Sequence, residues 1–257
     1  MAIPAKVSTR ITEGVKRFKP IVTKARDMDI NESDTVSIIL DILQEVFGYD
    51  KYTEITSEYA IKKTFCDLAV KLNGQPRLLI EVKAAGLNLK EQHIKQAVDY
   101  GANAGVEWVI LSNSVRWVVY RIIFGKPVVS ELVYDFDFTQ INTKKDSDME
   151  LLFYLTKEAM SKAGKSSLDE YHSHKQVLNR FVISQILLSD PVLDAIRKTV
   201  KKVSPASKST NEEIAKIISE EIIKRDILDD EKTAAAKKMI AKALAAPKKA
   251  EAHEEEQ

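Results

Sequence analysis

Asp67, Glu81 and Lys83 are the residues whose types and spacing could carry chemistry. Asp67 lies in the run FCDLAV, and Glu81 and Lys83 lie in LLIEVKA. Between the two runs stands Asn73-Gly74, the strongest short signal for a tight β-hairpin. Strand alternation puts Glu81 and Lys83 on one face. The turn folds Asp67 back beside residue 80 or 81. One register brings the two carboxylates within reach of a shared ion, and a slip of one residue separates them. Carboxylates in such apolar surroundings are costly unless something neutralises them. A hard cation such as Mg²⁺ would do so. Lys83 at the rim would then orient or deprotonate a water, or stabilise charge developing on a phosphate. The same residues also fit a structural ion pair, Asp67–Lys83 or Glu81–Lys83, on a partly exposed strand. Spacing alone leaves both readings open.

The elements that must position these groups read clearly. Asn31 or Ser33 can cap a helix through DTVSIILDILQEVFG, in which Val36, Ile39, Leu40, Leu43 and Phe47 recur at helical spacing and Gly48 ends the run. Strands follow in YTEITSEYAI, TFCDLAVKL and RLLIEVKA, then a helix in GLNLKEQHIKQAVDYGANAG. Two more strands follow in VEWVILSN and VRWVVYRI, and PVVSELVYDFDF adds an edge strand. This order predicts an α/β domain over residues 30–145, a mixed β-sheet flanked by helices. Residues 1–29 read as a lead-in with one helix. Strand signal stops near residue 146, so 146–230 reads as an α-helical C-terminal region, interrupted at Asp190-Pro191 and restarting at Thr210 or Asn211. Residues 231–257 read as a charged tail, helical at first and disordered beyond Pro247.

Taken in order, these elements resemble the N-terminal nuclease domain of type I restriction enzyme R subunits, a branch of the PD-(D/E)xK nuclease superfamily. Asp67 and LLIEVKAAG match the family's strand-borne Asp and Glu-x-Lys. QAVDY, from Gln96 to Tyr100, matches its Gln-x-x-x-Tyr element on the next helix. WVILSN and VRWVVY look like its next two strands, with Asn113 at the turn. Glu32 in NESDT is the best match for a further acidic metal ligand, and Glu45 on the same helix is its rival. Cys66 stands where the superfamily name has proline. The resemblance spans roughly residues 30–135. It implies a restriction-endonuclease-like fold and a Mg²⁺-dependent DNA endonuclease, with Mn²⁺ able to substitute and 5′-phosphate products. Asp67, Glu81, Lys83 and Gln96 would be catalytic, and Asp67, Glu81 and Glu32 would hold the metal. DNA is the implied partner, with a homodimer or a larger restriction or defence assembly around it. The alternative is a catalytically silent module of the same fold that binds DNA or protein.

Bulk properties narrow the rest. With 39 Lys plus Arg against 38 Asp plus Glu, the net charge of +1 does not announce nucleic-acid binding. The best basic patch is RKTVKKV, where Lys198, Lys201 and Lys202 could follow a phosphate backbone or form a solvated face. Tyr100 is a second weak candidate for nucleic-acid contact. The single Cys66 allows no intrachain disulfide, and neither a leader-like segment nor an apolar run of about eighteen residues is present. A cytoplasmic protein without a membrane span is expected. AMSKAGKS at 159–166 loosely fits a phosphate-binding loop, but it follows helix-like sequence and has one glycine, so no nucleotide is expected. His172 and His174 read as a solvated surface pair, and Trp108 and Trp117 as sheet or core residues.

Overall fold

The structure, a computed structural model, describes residues 3–61, 64–161 and 166–245. The centre of the AMSKAGKS stretch and the tail beyond Pro247 lie outside the described residues. Two compact units are present, Met1–Glu170 and Tyr171–Gln257. Among the described residues no helix is long and apolar enough to cross a membrane.

The first unit is built on one six-stranded mixed sheet. Its strands are β1 (Ile55–Ile61), β2 (Thr64–Leu72), β3 (Gln75–Val82), β4 (Trp108–Ser112), β5 (Arg116–Ile123) and β6 (Val129–Asp137), and they lie side by side in chain order. All neighbours are antiparallel except β3 and β4. That parallel pair needs a crossover, which α3 (Glu91–Ala104) supplies. Ala97 of α3 is buried with Ala69, Leu79, Val109 and Ile122. Ahead of the sheet come α1 (Ala5–Asp27) and α2 (Glu32–Glu45). The lead-in expected at the N-terminus is thus a 23-residue helix that buries Ile11, Phe18 and Val22 and carries Pro20 inside it. Asn31 caps α2 by accepting the Asp34 N–H, as its side-chain chemistry predicts. Trp117 is fully buried against Phe47 and Phe136.

The β2–β3 hairpin determines where the chemistry sits. Asn73 and Gly74 both have positive φ, 53° and 75°, as the favoured two-residue hairpin turn requires. Leu72 pairs with Gln75 and Lys71 with Pro76, but the ladder then shifts, so that Val70 pairs with Leu78 and Leu68 with Ile80. Arg77 is the additional residue, a β-bulge next to Pro76. Proline has no N–H to give a ladder, so a bulge is where a strand tolerates it. Without the bulge Leu68 would oppose Leu79, and Asp67 would oppose Ile80. With it, the ladder reaches Leu68 opposite Ile80, a register whose next step sets Asp67 opposite Glu81. This resolves the choice between residues 80 and 81 that the sequence leaves open.

After these strands, α4 (Asp146–Phe153) and α5 (Lys157–Met160) complete the first unit, and α6 (Ser167–Val177) runs from its end into the second. The second unit is helical: α7 (Arg180–Leu187), α8 (Asp190–Val203), α9 (Asn211–Ile217), a π-helical turn (Ile218–Ile222), α10 (Arg225–Leu228) and α11 (Glu231–Ala245). Asp190-Pro191 opens α8 and Thr210 caps α9, where the sequence signals place them. Leu193, Ile214, Ile218 and Ile223 form its core. The reading of His172 as a solvated residue is corrected: it is buried, with Gln176 one helical turn away within 3.4 Å, whereas His174 is exposed.

A pair of deletions tests the hairpin register. Removing Arg77 turns the bulge into a regular ladder and still sets Asp67 opposite Glu81. Removing Lys71 leaves the bulge in place and moves Asp67 opposite Ile80. The first deletion should melt cooperatively near wild type, and the second should lose on the order of 3 kcal/mol in chemical denaturation.

Candidate active site

The site forms where β2 and β3 part. Their ladder ends at Leu68–Ile80. Beyond it the Val82 N–H has no strand partner and donates instead to Asp67 Oδ2 at 2.7 Å. Asp67 is therefore held by backbone as well as by its rotamer. Glu81, on the neighbouring strand, is 2% exposed. Its Oε1 accepts from Lys83 Nζ at 2.7 Å, while its Oε2 is buried and has no hydrogen-bond partner. Lys83 Nζ also lies 3.5 Å from Glu32 Oε2.

Glu32 arrives through a specific backbone contact. The Ala85 N–H donates to the Ile30 carbonyl at 3.2 Å, tying the connection between α1 and α2 to the loop after β3. Asp29 packs against Gly86 so closely that a Cβ there would meet Asp29 Oδ1 at 2.1 Å. From the other side, Asn113 Nδ2 donates to the Leu87 carbonyl at 2.9 Å, and its Oδ1 accepts the Arg116 N–H at 2.7 Å. Asn113 thus clamps the loop that follows Lys83. A polar residue in a turn was legible in the sequence, but its carbonyl partner 26 residues away was not.

The electrostatics follow from this packing. Burial pushes the Glu81 carboxyl up to about 7, with the hydrogen bond from Lys83 opposing the shift and Asp67 adding to it. Burial raises Asp67 as well, against the Val82 N–H that favours its charged form. Burial works against the Lys83 ammonium, but its hydrogen bond to Glu81 and the surrounding carboxylates outweigh that and hold it above the ordinary lysine value. Lys83 is therefore a fixed cation among acids.

Of the residues singled out from sequence, the fold gathers Asp67, Glu81, Lys83 and Glu32. Glu45 is ion-paired with Arg17 instead. Gln96 donates to the Tyr100 hydroxyl at 3.0 Å, on a surface groove of α3 that also includes Thr64 of β2. Lys198, Lys201 and Lys202 are exposed on α8 of the second unit. Among the described residues, no group of three or more His, Cys, Asp or Glu is gathered closely enough to hold a metal ion. The pair Asp67 and Glu81 nevertheless suits a hard divalent cation, because both donors are carboxylate oxygens and one buried oxygen lacks a partner.

Residues 32–133 match the family described as type I restriction enzyme R protein N terminus (HSDR_N). The matched segment begins at the first residue of α2 and ends within β6, so it contains all four gathered residues and the α3 pair. It points to a restriction-enzyme N-terminal domain of nuclease type. No curated protein and no solved structure gives a match.

The raised carboxyls predict a pH signature. Between the ordinary glutamate value of 4.5 and about 7, the folded chain keeps a proton on Glu81 that the unfolded chain has released. Stability should therefore fall as pH rises through that window, and the raised Asp67 adds the same sign. In EDTA, wild type should lose up to about 3 kcal/mol more between pH 5 and 8 than Glu81→Gln does. Parallel stability profiles for the two proteins would show that Glu81 is not strained.

Proposed function

We propose that the sheet unit is a metal-dependent DNA endonuclease that hydrolyses phosphodiester bonds, acting within a restriction or defence assembly in the cytoplasm. One observation carries this reading: a buried glutamate with an unpartnered oxygen stands beside an aspartate and a lysine, inside the segment that matches the restriction-enzyme family. A site kept only for stability has no reason to hold a carboxylate at that cost.

Asp67 and Glu81 would hold Mg²⁺, or Mn²⁺ in its place, with Glu32 as a further ligand. When bound, the ion supplies a Lewis acid for the phosphodiester oxygens and the positive charge that the buried carboxylates lack. The remaining work belongs to the chain itself. Lys83 has three N–H donors; Glu81 takes one and Glu32 lies near a second, which leaves one for a substrate phosphate oxygen or the attacking water. Because its neighbours keep it cationic, Lys83 orients and stabilises negative charge and does not act as a base. Asp67, fixed by the Val82 N–H, needs no rearrangement to present its second oxygen. Gln96 and Tyr100 are coupled to each other, so we assign them to the phosphate backbone along the α3 groove.

A second reading has support of its own. The Lys83 ammonium already partners Glu81, which is what a silent module with a structural ion pair would have. Cleavage of supercoiled plasmid, linear duplex and single-stranded DNA in Mg²⁺ or Mn²⁺ separates the two. Asp67→Ala and Lys83→Ala should each lower the rate by at least about 100-fold, and EDTA should abolish it. Variants that cut as fast as wild type would refute the assignment. DNA binding by wild type without cutting on any substrate would favour the silent module.

A further inference from the structure

The second unit has charge and apolar surface that its own core does not use. On α8, Leu193 turns inward, while Val192, Ala195, Thr199 and Val203 lie along a groove on the outside. Val203 is 81% exposed. At helical spacing these four fall on a single stripe, because positions three and four apart share a face. The last two turns of α8 are basic. Arg197 is engaged by Asp194, and Lys198, Lys201 and Lys202 are exposed. The next helix has the opposite character. α9 and its π-helical turn bury Ile214 and Ile218 but expose Ile217 at 50% and Ile222 at 65%. Exposed Glu212, Glu213, Glu220 and Glu221 accompany them, with Lys216 as the one basic residue inside these two elements.

One chain thus displays a basic-edged apolar stripe and an acid-edged pair of isoleucines on consecutive elements. Each surface is the complement of the other. They cannot satisfy each other within one chain, because α8 and α9 already face each other through Leu193 and Ile214. A second copy can do so. A two-fold axis that sets α8 of one copy on α9 of its partner makes the reverse contact automatically, and the pairing closes at two. We propose that the second unit is a self-association surface, in which the α8 stripe of one copy docks on the acidic isoleucine face of another. This does not depend on the nuclease reading of the first unit. It would place two such units in one particle.

Sedimentation velocity on the full chain tests it, together with two charge reversals on exposed positions. Wild type should be dimeric at about 50 µM. Lys198→Glu/Lys202→Glu and Glu220→Lys/Glu221→Lys should each weaken the dimer by about ten-fold or more, because like charges then face each other. Mixing the two variants should restore a dimer, since both of its contacts then join opposite charges. That rescue cannot come from misfolding. A wild-type chain that stays monomeric, or reversals that leave the dimer unchanged, would overturn the proposal. So would a lysine reversal that lowers duplex DNA binding without changing the mass, which would make α8 a nucleic-acid surface.

Discussion

The nuclease site proposed for the first unit depends on the register of one hairpin. The Asn73-Gly74 turn fixes Leu72 against Gln75, and from there a regular ladder would leave Asp67 opposite Ile80, one residue short of Glu81. The bulge at Arg77 moves the pairing by one residue, and Pro76 is the chemical reason for a bulge at that point. Beyond Leu68 and Ile80 the strands part, and the unpaired Val82 N–H finds the Asp67 carboxylate. A turn, a proline and an open ladder together place an acid that sequence spacing alone would not have placed.

The consequence is electrostatic. Glu81 is buried with half its carboxylate unsatisfied, and Lys83 satisfies the other half. Removing one charge from such a group leaves the others exposed to the low dielectric, which is why sites of this kind act as units. The surrounding structure maintains the strain. Asn113 holds the loop after Lys83, and the contact of Asp29 with Gly86 brings the start of α2, and with it Glu32, to the same ammonium. Both contacts end on the backbone of the loop after β3, so that loop and the start of α2 are held in place by the fold.

Much of this was legible in the sequence where local rules apply. The Asn-Gly turn, the Asn31 cap, the six strands and the crossover helix follow from alternation, helical period and capping chemistry. The features that escaped are those set by distant partners. Arg77 becomes a bulge only because β2 lies opposite. Pro20 sits inside a helix because α1 packs along α2 and α4, and tertiary packing outweighs local propensity. His172 is buried although its neighbours in sequence are polar, and nothing local signals that. Gln96 and Tyr100 share a helix face as their spacing requires, but spacing could not say that they would bond to each other.

Whether Asp67 and Glu81 form a cation site is decided by calorimetric titration of Mn²⁺ into the full chain at pH 8, above the raised value of Glu81. The titration should give a single binding event that Glu81→Gln and Asp67→Asn each remove while the fold is retained. A wild-type protein that takes up no Mn²⁺, with or without DNA, or variants that bind it as wild type does, would contradict it.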